Sequence, residues 1–447
     1  MTENPRDAAF HTLLRIEKER SYADILINRE LLSGDLGGPD RGLYTELVYG
    51  TLRKQGTLDH IICRFSKTPS AKLERVVVLL LRLGLYQMFF LDRIPVSAAV
   101  NETVNLAKQY AAKAAGFINA VLRSADRGRD SISYPDPVKE PAAFLAARHS
   151  QPQWIVEGWL GQLGFAEAEE LAAALSAPPP FTIRVNRLKT DRDALQSRLQ
   201  AEGVAAVPCR FAPDGLSVTS SVSLPHLQSF AEGLFSVQDE ASQLTALILA
   251  PLPGDVILDV CAAPGGKATY LAELTNDRCT LAACDRNPRK LALIRETTDR
   301  LGIRSITPTL LDATKPLERL QSGLFDRILV DAPCSGLGVI HRNPEGKWWK
   351  VPSDPARLAV TQLAILENAA ARLKPGGILV YSTCSTSLAE NEQVVDNFIN
   401  QHADFMIEPV SMVLPQAAAL ETGRGFFRSW PHRHGMDGFF AARLIRK

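Results

Sequence analysis

Long uninterrupted hydrophobic runs are missing from this chain. The most apolar stretch, Val76 to Leu91, is broken by Arg82 and Gln87, and the opening Met1-Thr-Glu-Asn-Pro-Arg-Asp lacks the basic-then-apolar order of a signal peptide. Neither export nor membrane insertion is expected. An excess of one charge sign is missing too. Fifty Lys+Arg face 49 Asp+Glu for a formal charge of +1, which excludes a polycation that grips nucleic acid by bulk electrostatics. Cysteine is scarce: seven in 447 residues, odd in number and widely spaced. That argues against a disulfide framework and for reduced thiols in a cytoplasm. There is no fixed-period repeat and no low-complexity tract.

What is present is an ordinary globular mixture, 46% hydrophobic and 22% charged, in a chain long enough for two to four domains at roughly 100–200 residues each. Any basic surface must be local. Residues 1–130 carry nineteen Lys+Arg against fifteen Asp+Glu, with Arg53, Lys54, Arg64, Lys67, Arg123, Arg127 and Arg129 supplying much of the excess.

From Asn4 to about Arg129 the pattern is helical: Phe10, Leu13 and Leu14 fall at i, i+3 and i+4, and Val76 to Leu91 suits a central bundle helix. Three prolines between Ile132 and Pro141 read as a linker. Helices are predicted around Gln153 to Leu163 and Ala166 to Leu175, then Pro178 to Pro180 break the chain. Phe181 to Asn186, Ala205 to Cys209 and Gly215 to Val218 read as strands around a helix over Asp191 to Glu202, a small α/β piece. From about Phe235 short apolar strands alternate with helices, the signature of an open parallel sheet. The predicted strands are Val256 to Val260, Thr280 to Cys284, Thr307 to Leu311, Arg327 to Val330, Gly377 to Thr383 and Phe439 to Leu444. The expected domains are therefore 1–135, 136–234 and 235–447.

The chemistry gathers after those strands. Asp259-Val-Cys-Ala-Ala-Pro-Gly-Gly-Lys267 is a strand end, a tight glycine turn and a helix start, where backbone N–H groups can meet a ligand. The spacing matches neither G-x-G-x-x-G nor a Walker loop, since Ala268 follows Lys267, so another nucleoside ligand is favoured. A lone turn of this kind can equally be structural. Asp285, at the end of the next strand, lies where an acidic side chain meets ribose hydroxyls in doubly wound folds. Asp312, past the third strand, could face an adenine edge or simply cap a turn.

The fourth and fifth strands each deliver a cysteine just past their carboxyl ends, Cys334 in Asp331-Ala-Pro-Cys-Ser-Gly336 and Cys384 in Tyr381-Ser-Thr-Cys-Ser385. Two thiols in one cleft could ligate a metal, exchange disulfides, or act as covalent nucleophile and proton shuttle. The first two lack the usual CxxC or Cys/His partners. The third has a chemical reason. Cytosine C5 is a poor nucleophile, but thiolate addition at C6 makes C5 able to attack an electrophilic methyl, after which the C5 proton must leave. Asp331 stands where it could hydrogen-bond the ring.

Together, residues 259–267, 331–336 and 381–385 closely resemble the S-adenosylmethionine-dependent RNA 5-methylcytosine methyltransferases. The helical leader, Gln238-Asp-Glu-Ala-Ser-Gln243 and His434-Gly-Met-Asp-Gly-Phe-Phe440 narrow the resemblance to the bacterial 16S ribosomal RNA methyltransferases of the Sun/Fmu, RsmB type. The resemblance implies a Rossmann-like methyltransferase core with a seven-stranded mixed sheet, an all-α NusB-like RNA-binding N-terminal domain and a small α/β middle domain. It implies that Cys261, Ala262, Ala263, Pro264, Gly265, Gly266 and Lys267 wrap the methionine and ribose of S-adenosyl-L-methionine, with Asp285 on the ribose, Asp312 on the adenine side and Asp331 between cofactor and base. It further implies that Cys384 adds to C6 while Cys334 assists elimination, an order that spacing leaves open; analogy with DNA cytosine-5 methyltransferases would choose Cys334 instead.

The expected substrate is 16S rRNA, with no metal, no membrane, no obligate protein partner and a monomeric enzyme. The alternatives are methylation of tRNA or another rRNA site, and a non-catalytic RNA-binding or antitermination factor. Arg184, Asn186, Arg342 and Lys347 are candidate RNA contacts, whereas Trp348, Trp349, Phe439 and Phe440 are expected in the core and His434 fits either role. Cys63, Cys209, Cys279 and Cys284 are expected to be packing or incidental.

Overall fold

A computed structural model describes residues 4–34, 36–69, 72–220, 227–320 and 323–447. Contacts divide the chain into two compact units, Met1–Pro178 together with Ile340–Pro352, and Pro179–Val339 together with Ser353–Lys447. Among the described residues no helix is long and apolar enough to cross a membrane.

The first unit is helical. Its opening helix, Pro5–Glu19, starts where the Asn4 side chain accepts the Arg6 N–H at 2.9 Å. Phe10, Leu13 and Ile16 on one face are buried against a core that includes most of Arg75–Phe90, the apolar run of the sequence. Arg82, which interrupts that run, is held in two contacts by the Asp59 carboxylate, Nε at 2.7 Å and Nη2 at 2.8 Å. The helices Pro141–His149, Gln153–Leu163 and Phe165–Ala174 complete this unit. So does a short segment from far along the chain. Within Ile340–Pro352, Glu345 accepts the Ala23 N–H at 2.9 Å, and Lys347, 1% exposed, donates to the Ser150 carbonyl at 2.5 Å. Lys347 is therefore no RNA contact: its ammonium is buried inside the helical unit. Trp348 and Trp349 are half-buried, Trp349 against Tyr22 with ring centroids 5.6 Å apart.

The second unit carries two sheets. In the smaller, β1 (Phe181–Val185), β2 (Ala206–Pro208), β3 (Gly215–Val218) and β4 (Phe235–Val237) pair antiparallel in the order β2-β3-β1-β4. Arg184 and Asn186 on this sheet are wholly buried rather than presented to RNA. Asn186 donates to the Gly233 and Leu301 carbonyls at 2.8 and 2.9 Å. The Arg184 guanidinium binds Glu273 at 2.7 Å, Thr269 at 3.2 Å and the Gly266 carbonyl at 2.7 Å. A buried guanidinium needs its donors satisfied, and these partners take up both Nη groups, while Nε has no partner among the described residues.

The larger sheet holds β5 (Val256–Asp259), β6 (Thr280–Asp285), β7 (Ile306–Leu310), β8 (Phe325–Asp331), β9 (Leu373–Thr383), β10 (Phe405–Glu408), β11 (Phe427–Arg428) and β12 (Phe440–Arg446). The order is β10-β12-β9-β8-β5-β6-β7, with β11 added to β12, so the expected seven-strand path gains a two-residue eighth strand. From β9 through β7 every pairing is parallel, while β12 runs antiparallel to β9 and to β10. The chain leaves β5 toward β6 and β7, then returns to place β8 on its other side. The carboxyl ends of β5 and β8 therefore flank the topological switch point, where open α/β sheets bind ligands. Leu258, Ile328, Leu329, Leu379 and Val380, all buried, form the covered faces of these central strands.

Candidate active site

A cavity of about 360 Å³ opens at the switch point, lined by residues that include Cys261, Ala263, Asp285, Asp312, Asp331, Cys334 and Cys384. Each comes from the carboxyl end of a strand of the larger sheet or from the loop that follows it. After β5 the chain turns through Gly265 at φ 106°, a conformation side chains avoid, and a Cβ there would sit 3.3 Å from Ile294. The helix Gly266–Leu274 starts immediately, so the first free N–H groups lie at this turn. Ala262 is buried beneath the turn. Lys267, the second residue of that helix, points its ammonium at Asp331 Oδ2, 2.8 Å away, and over the Phe439 ring at 4.9 Å.

Asp285 Oδ1 accepts the Asn287 N–H at 2.7 Å, and Asn287 in turn caps the helix Pro288–Leu301. Asp312 Oδ1 accepts the Thr314 hydroxyl at 2.7 Å and N–H at 3.1 Å, and those bonds hold its carboxyl below the usual range. Two acids at successive strand ends, with the apolar Leu311, Ala313, Pro333 and Ile365 among the lining, make a donor set suited to a ribose diol and a flat purine. The adenosyl part of S-adenosylmethionine fits that chemistry.

On the other side of the cavity, β8 and β9 run in parallel register with Asp331 opposite Ser382. Asp331 is gripped at both oxygens, by Lys267 at Oδ2 and by the Ser382 hydroxyl at Oδ1, 2.9 Å. Three residues beyond Asp331, and two beyond Ser382, the Cys334 and Cys384 sulfurs lie 3.3 Å apart. The Cys384 thiol is pushed well above its ordinary value, first by its hydrogen bond with Cys334, then by burial, with the Asp331 charge adding to both; Lys267 opposes them. Lys267 itself is raised: burial disfavours its charge, but the adjacent Asp331 outweighs that. Asp259, fully buried behind the site, is pushed up to about 8 by burial and then by Asp331.

The loops carrying the two cysteines are stitched together. Gly338 donates its N–H to the Cys384 carbonyl at 2.9 Å and accepts the Gly438 N–H at 3.0 Å. A Cβ on Gly338 would collide with the Gly438 carbonyl. Glu390, wholly buried, accepts from the Ser335 N–H at 2.7 Å, the Ser385 hydroxyl at 2.6 Å and the Gln362 amide at 3.1 Å.

The structure thus brings Cys261, Ala263, Asp285, Asp312, Asp331, Cys334 and Cys384 to one cavity and turns Lys267 onto Asp331. His434 acts locally, its Nδ1 accepting the Trp430 N–H at 2.9 Å. Phe439 and Phe440 are buried, as is Cys284, whereas Cys63 is exposed and Cys209 and Cys279 are half-buried. Sequence reasoning missed Glu390, Gln362 and Ser382. Their only sequence signal is a polar residue within a few positions of a cysteine motif or on an apolar helix.

Comparison with known proteins finds three family models along the chain. The model of the 16S rRNA methyltransferase RsmB/F family matches residues 246–445, that of the NusB family residues 3–127, and that of the RsmF/B-like ferredoxin-like domain residues 151–225. The "Probable ribosomal RNA small subunit methyltransferase B" of Bacillus subtilis is 40% identical over 446 residues, covering 99% of this chain and 98% of the relative. The chain belongs to the RsmB/F methyltransferase family. Ribosomal RNA small subunit methyltransferase B of Pseudomonas syringae is 34% identical to this RsmB/F member over 450 residues, 99% of the chain and 97% of the relative. Among solved structures, PH0851 superposes with a TM-score of 0.82 at 27% identity over 99% of both chains. NSun6 from Pyrococcus horikoshii with SFG does so with a TM-score of 0.59 at 26% identity, over 66% of this chain and 98% of that one. As an RsmB/F protein the chain is an RNA methyltransferase: a NusB-like helical N-terminus, a small middle domain and a mixed-sheet methyltransferase core.

Proposed function

We propose that this enzyme methylates C5 of a cytosine in 16S rRNA, using S-adenosylmethionine and a transient covalent bond between Cys384 and C6 of the base. The observation that carries the reading is the pair of sulfurs 3.3 Å apart beside Asp331, in the cavity that also holds Asp285 and Asp312. The cofactor supplies an electrophilic methyl. Asp285 would hold the ribose, Asp312 the adenine side, and Cys261 to Gly266 the methionine portion. Asp331, fixed by Lys267 and Ser382, would hydrogen-bond the cytosine ring and stabilise the electron-rich adduct.

Cys384 gives up its proton to water, its sulfur bonds to C6, and C5 becomes nucleophilic enough to take the methyl, releasing S-adenosylhomocysteine. Cys334 then assists removal of the C5 proton; the C5–C6 double bond re-forms and the C6–sulfur bond breaks. The target must be single-stranded or flipped from its stack to reach the cavity. In this division of labour the helical unit and the small sheet supply RNA affinity and register while the larger sheet and its loops perform the chemistry, in the cytoplasm and as a monomer.

Two measurements test the reading. Methyl-labelled S-adenosylmethionine is offered with unmodified 16S rRNA and, in parallel, tRNA, and labelled nucleosides are identified: 5-methylcytidine from rRNA alone is expected, and label in tRNA alone overturns the substrate. Cys334→Ala should accumulate a protein–RNA adduct and Cys384→Ala should form none. The reverse pattern would exchange the two roles. Absence of label in either RNA and in assembling subunits would leave the non-catalytic RNA-binding reading.

A further inference from the structure

The two thiols are placed by loops, and loops hold a sulfur–sulfur distance only if something ties them. Cys334 and Cys384 come from sequence positions fifty apart. The residue following each is a serine, and both serines meet one carboxylate. Glu390 Oε1 accepts the Ser335 backbone N–H at 2.7 Å and the Gln362 amide at 3.1 Å. Its Oε2 accepts the Ser385 hydroxyl at 2.6 Å and also the Ser335 hydroxyl. The two hydroxyls lie 3.0 Å apart.

The clamp is itself anchored. Tyr381, in β9, donates its hydroxyl to the Glu390 carbonyl at 2.5 Å; Asn391 donates to the Ser385 carbonyl at 2.9 Å; and Gln362 also reaches the Pro333 carbonyl at 3.0 Å, one residue before Cys334. Glu390, Ser335, Ser385, Gln362 and Tyr381 are all essentially solvent-excluded. The donors reaching the carboxylate, a backbone N–H, two hydroxyls and an amide, carry no charge. A fold gains little by burying a carboxylate without a cation, so this arrangement calls for a reason beyond stability. Charge-assisted bonds are short and directional, and they are aimed here at the residues adjoining both sulfurs.

We propose that Glu390 is a positioning residue for the two-thiol site, its buried carboxylate fixing the separation and orientation of Cys334 and Cys384 through Ser335 and Ser385. The proposal rests on the reading of Cys384 as nucleophile and Cys334 as its partner, and deepens it. Glu390 touches neither sulfur and lies outside the cavity lining.

Glu390→Gln keeps an oxygen for the Ser335 N–H and offers an amide that both serine hydroxyls can accept, so it preserves the clamp. Glu390→Ala removes it. In the full-length protein, iodoacetamide alkylation of Cys334 and Cys384 is followed against pH by peptide mass spectrometry, alongside steady-state methylation of RNA. Displacement of about 1 Å at a reacting group can cost about 100-fold in rate. A loss of that order in kcat is expected for Glu390→Ala, with KM for RNA and cofactor changed by less than about threefold. Because contact with Cys334 is the main influence keeping the Cys384 thiol protonated, the alkylation midpoint of Cys384 should move to lower pH in Glu390→Ala and stay in place in Glu390→Gln.

An unmoved midpoint with unchanged kcat in Glu390→Ala overturns the proposal, as does a Glu390→Gln variant as impaired as the alanine. Should Glu390→Ala fail to fold, Ser385→Ala removes one bond of the clamp, and an unmoved midpoint there is equally decisive. Alkylation needs neither RNA nor cofactor. If Cys384→Ala still methylates RNA, the covalent reading falls, while the midpoint separately decides whether Glu390 sets the thiol pair.

Discussion

Two ion pairs in the second unit tie buried charge to an opposite charge, Lys267 with Asp331 and Arg184 with Glu273. The first touches the cavity; the second, wholly buried, joins the small sheet to the helix that starts at the glycine turn. Burial pushes the Glu273 carboxyl up, and Arg184 works against that. Removing one member of such a pair typically costs about 3–5 kcal/mol, whereas replacing both by apolar groups can be neutral. Arg184→Met should therefore destabilise the second unit by about that amount in urea denaturation, and Arg184→Met with Glu273→Leu should recover most of the loss. A double variant as unstable as the single would show that the pair is not the source. In the sequence Arg184 is one basic residue on an alternating strand, a pattern that reads as a solvated RNA-facing edge. Its partners Gly266, Thr269 and Glu273 lie more than eighty positions away, so strand periodicity carries no trace of them. Cys334, Cys384 and Asp331 were legible because their motifs sit at strand ends, where local sequence and position in the fold coincide. Glu390 was not, because its role exists only once two loops have met.

At the scale of elements, the central strands were readable to within a residue or two: Val256–Asp259, Thr280–Asp285 and Ile306–Leu310 lie where short apolar runs end in an acid or a turn. β9 begins at Leu373, four residues before the predicted start. Lys374-Pro-Gly-Gly377 looks like a strand breaker, but the pairing of β8 with β9 shifts register between Phe325 and Arg327, and such an irregularity accommodates residues that regular pairing rejects. β4, β10 and β11 are two to four residues long, below what alternation can reveal.

The short helical turn Gly346–Trp349 hid its purpose differently, since Lys347 beside two tryptophans has the composition of an RNA-stacking surface. Burial instead brings the Lys347 ammonium down to about 7, with Lys54 and Arg53 adding to the effect. Between that value and the ordinary 10.5 the unfolded chain holds a proton that the folded chain lacks, so stability gained through this residue rises with pH from about 7 to 10.5. The slope approaches about 1.4 kcal/mol per pH unit. Lys347→Met should lack it: denaturation midpoints of variant and wild type should converge as pH climbs through this window. Parallel pH profiles would mean that Lys347 stays charged when folded.

For the molecule as a whole, the helical leader, small sheet and methyltransferase core were each apparent from texture along the chain. Return of residues 340–352 to the first unit was not. That segment follows the Pro-Cys loop by only a few residues, yet its contacts are with Ala23 and Ser150. Domains are usually contiguous pieces of chain, and nothing in local composition announces an exception. The first unit is consequently a discontinuous fold, and its boundaries matter to anyone cutting the gene. A polypeptide ending at residue 178 would be translated without Glu345 and Lys347, leaving the Ala23 N–H and the Ser150 carbonyl without those partners. Such a fragment should melt earlier than the same fragment supplied with a synthetic 340–352 peptide, and calorimetric titration should register the peptide binding. No change in melting would show that the helices close without it. Expression trials, limited proteolysis and split-reporter designs alike would then have to treat two distant segments of sequence as one folding cassette.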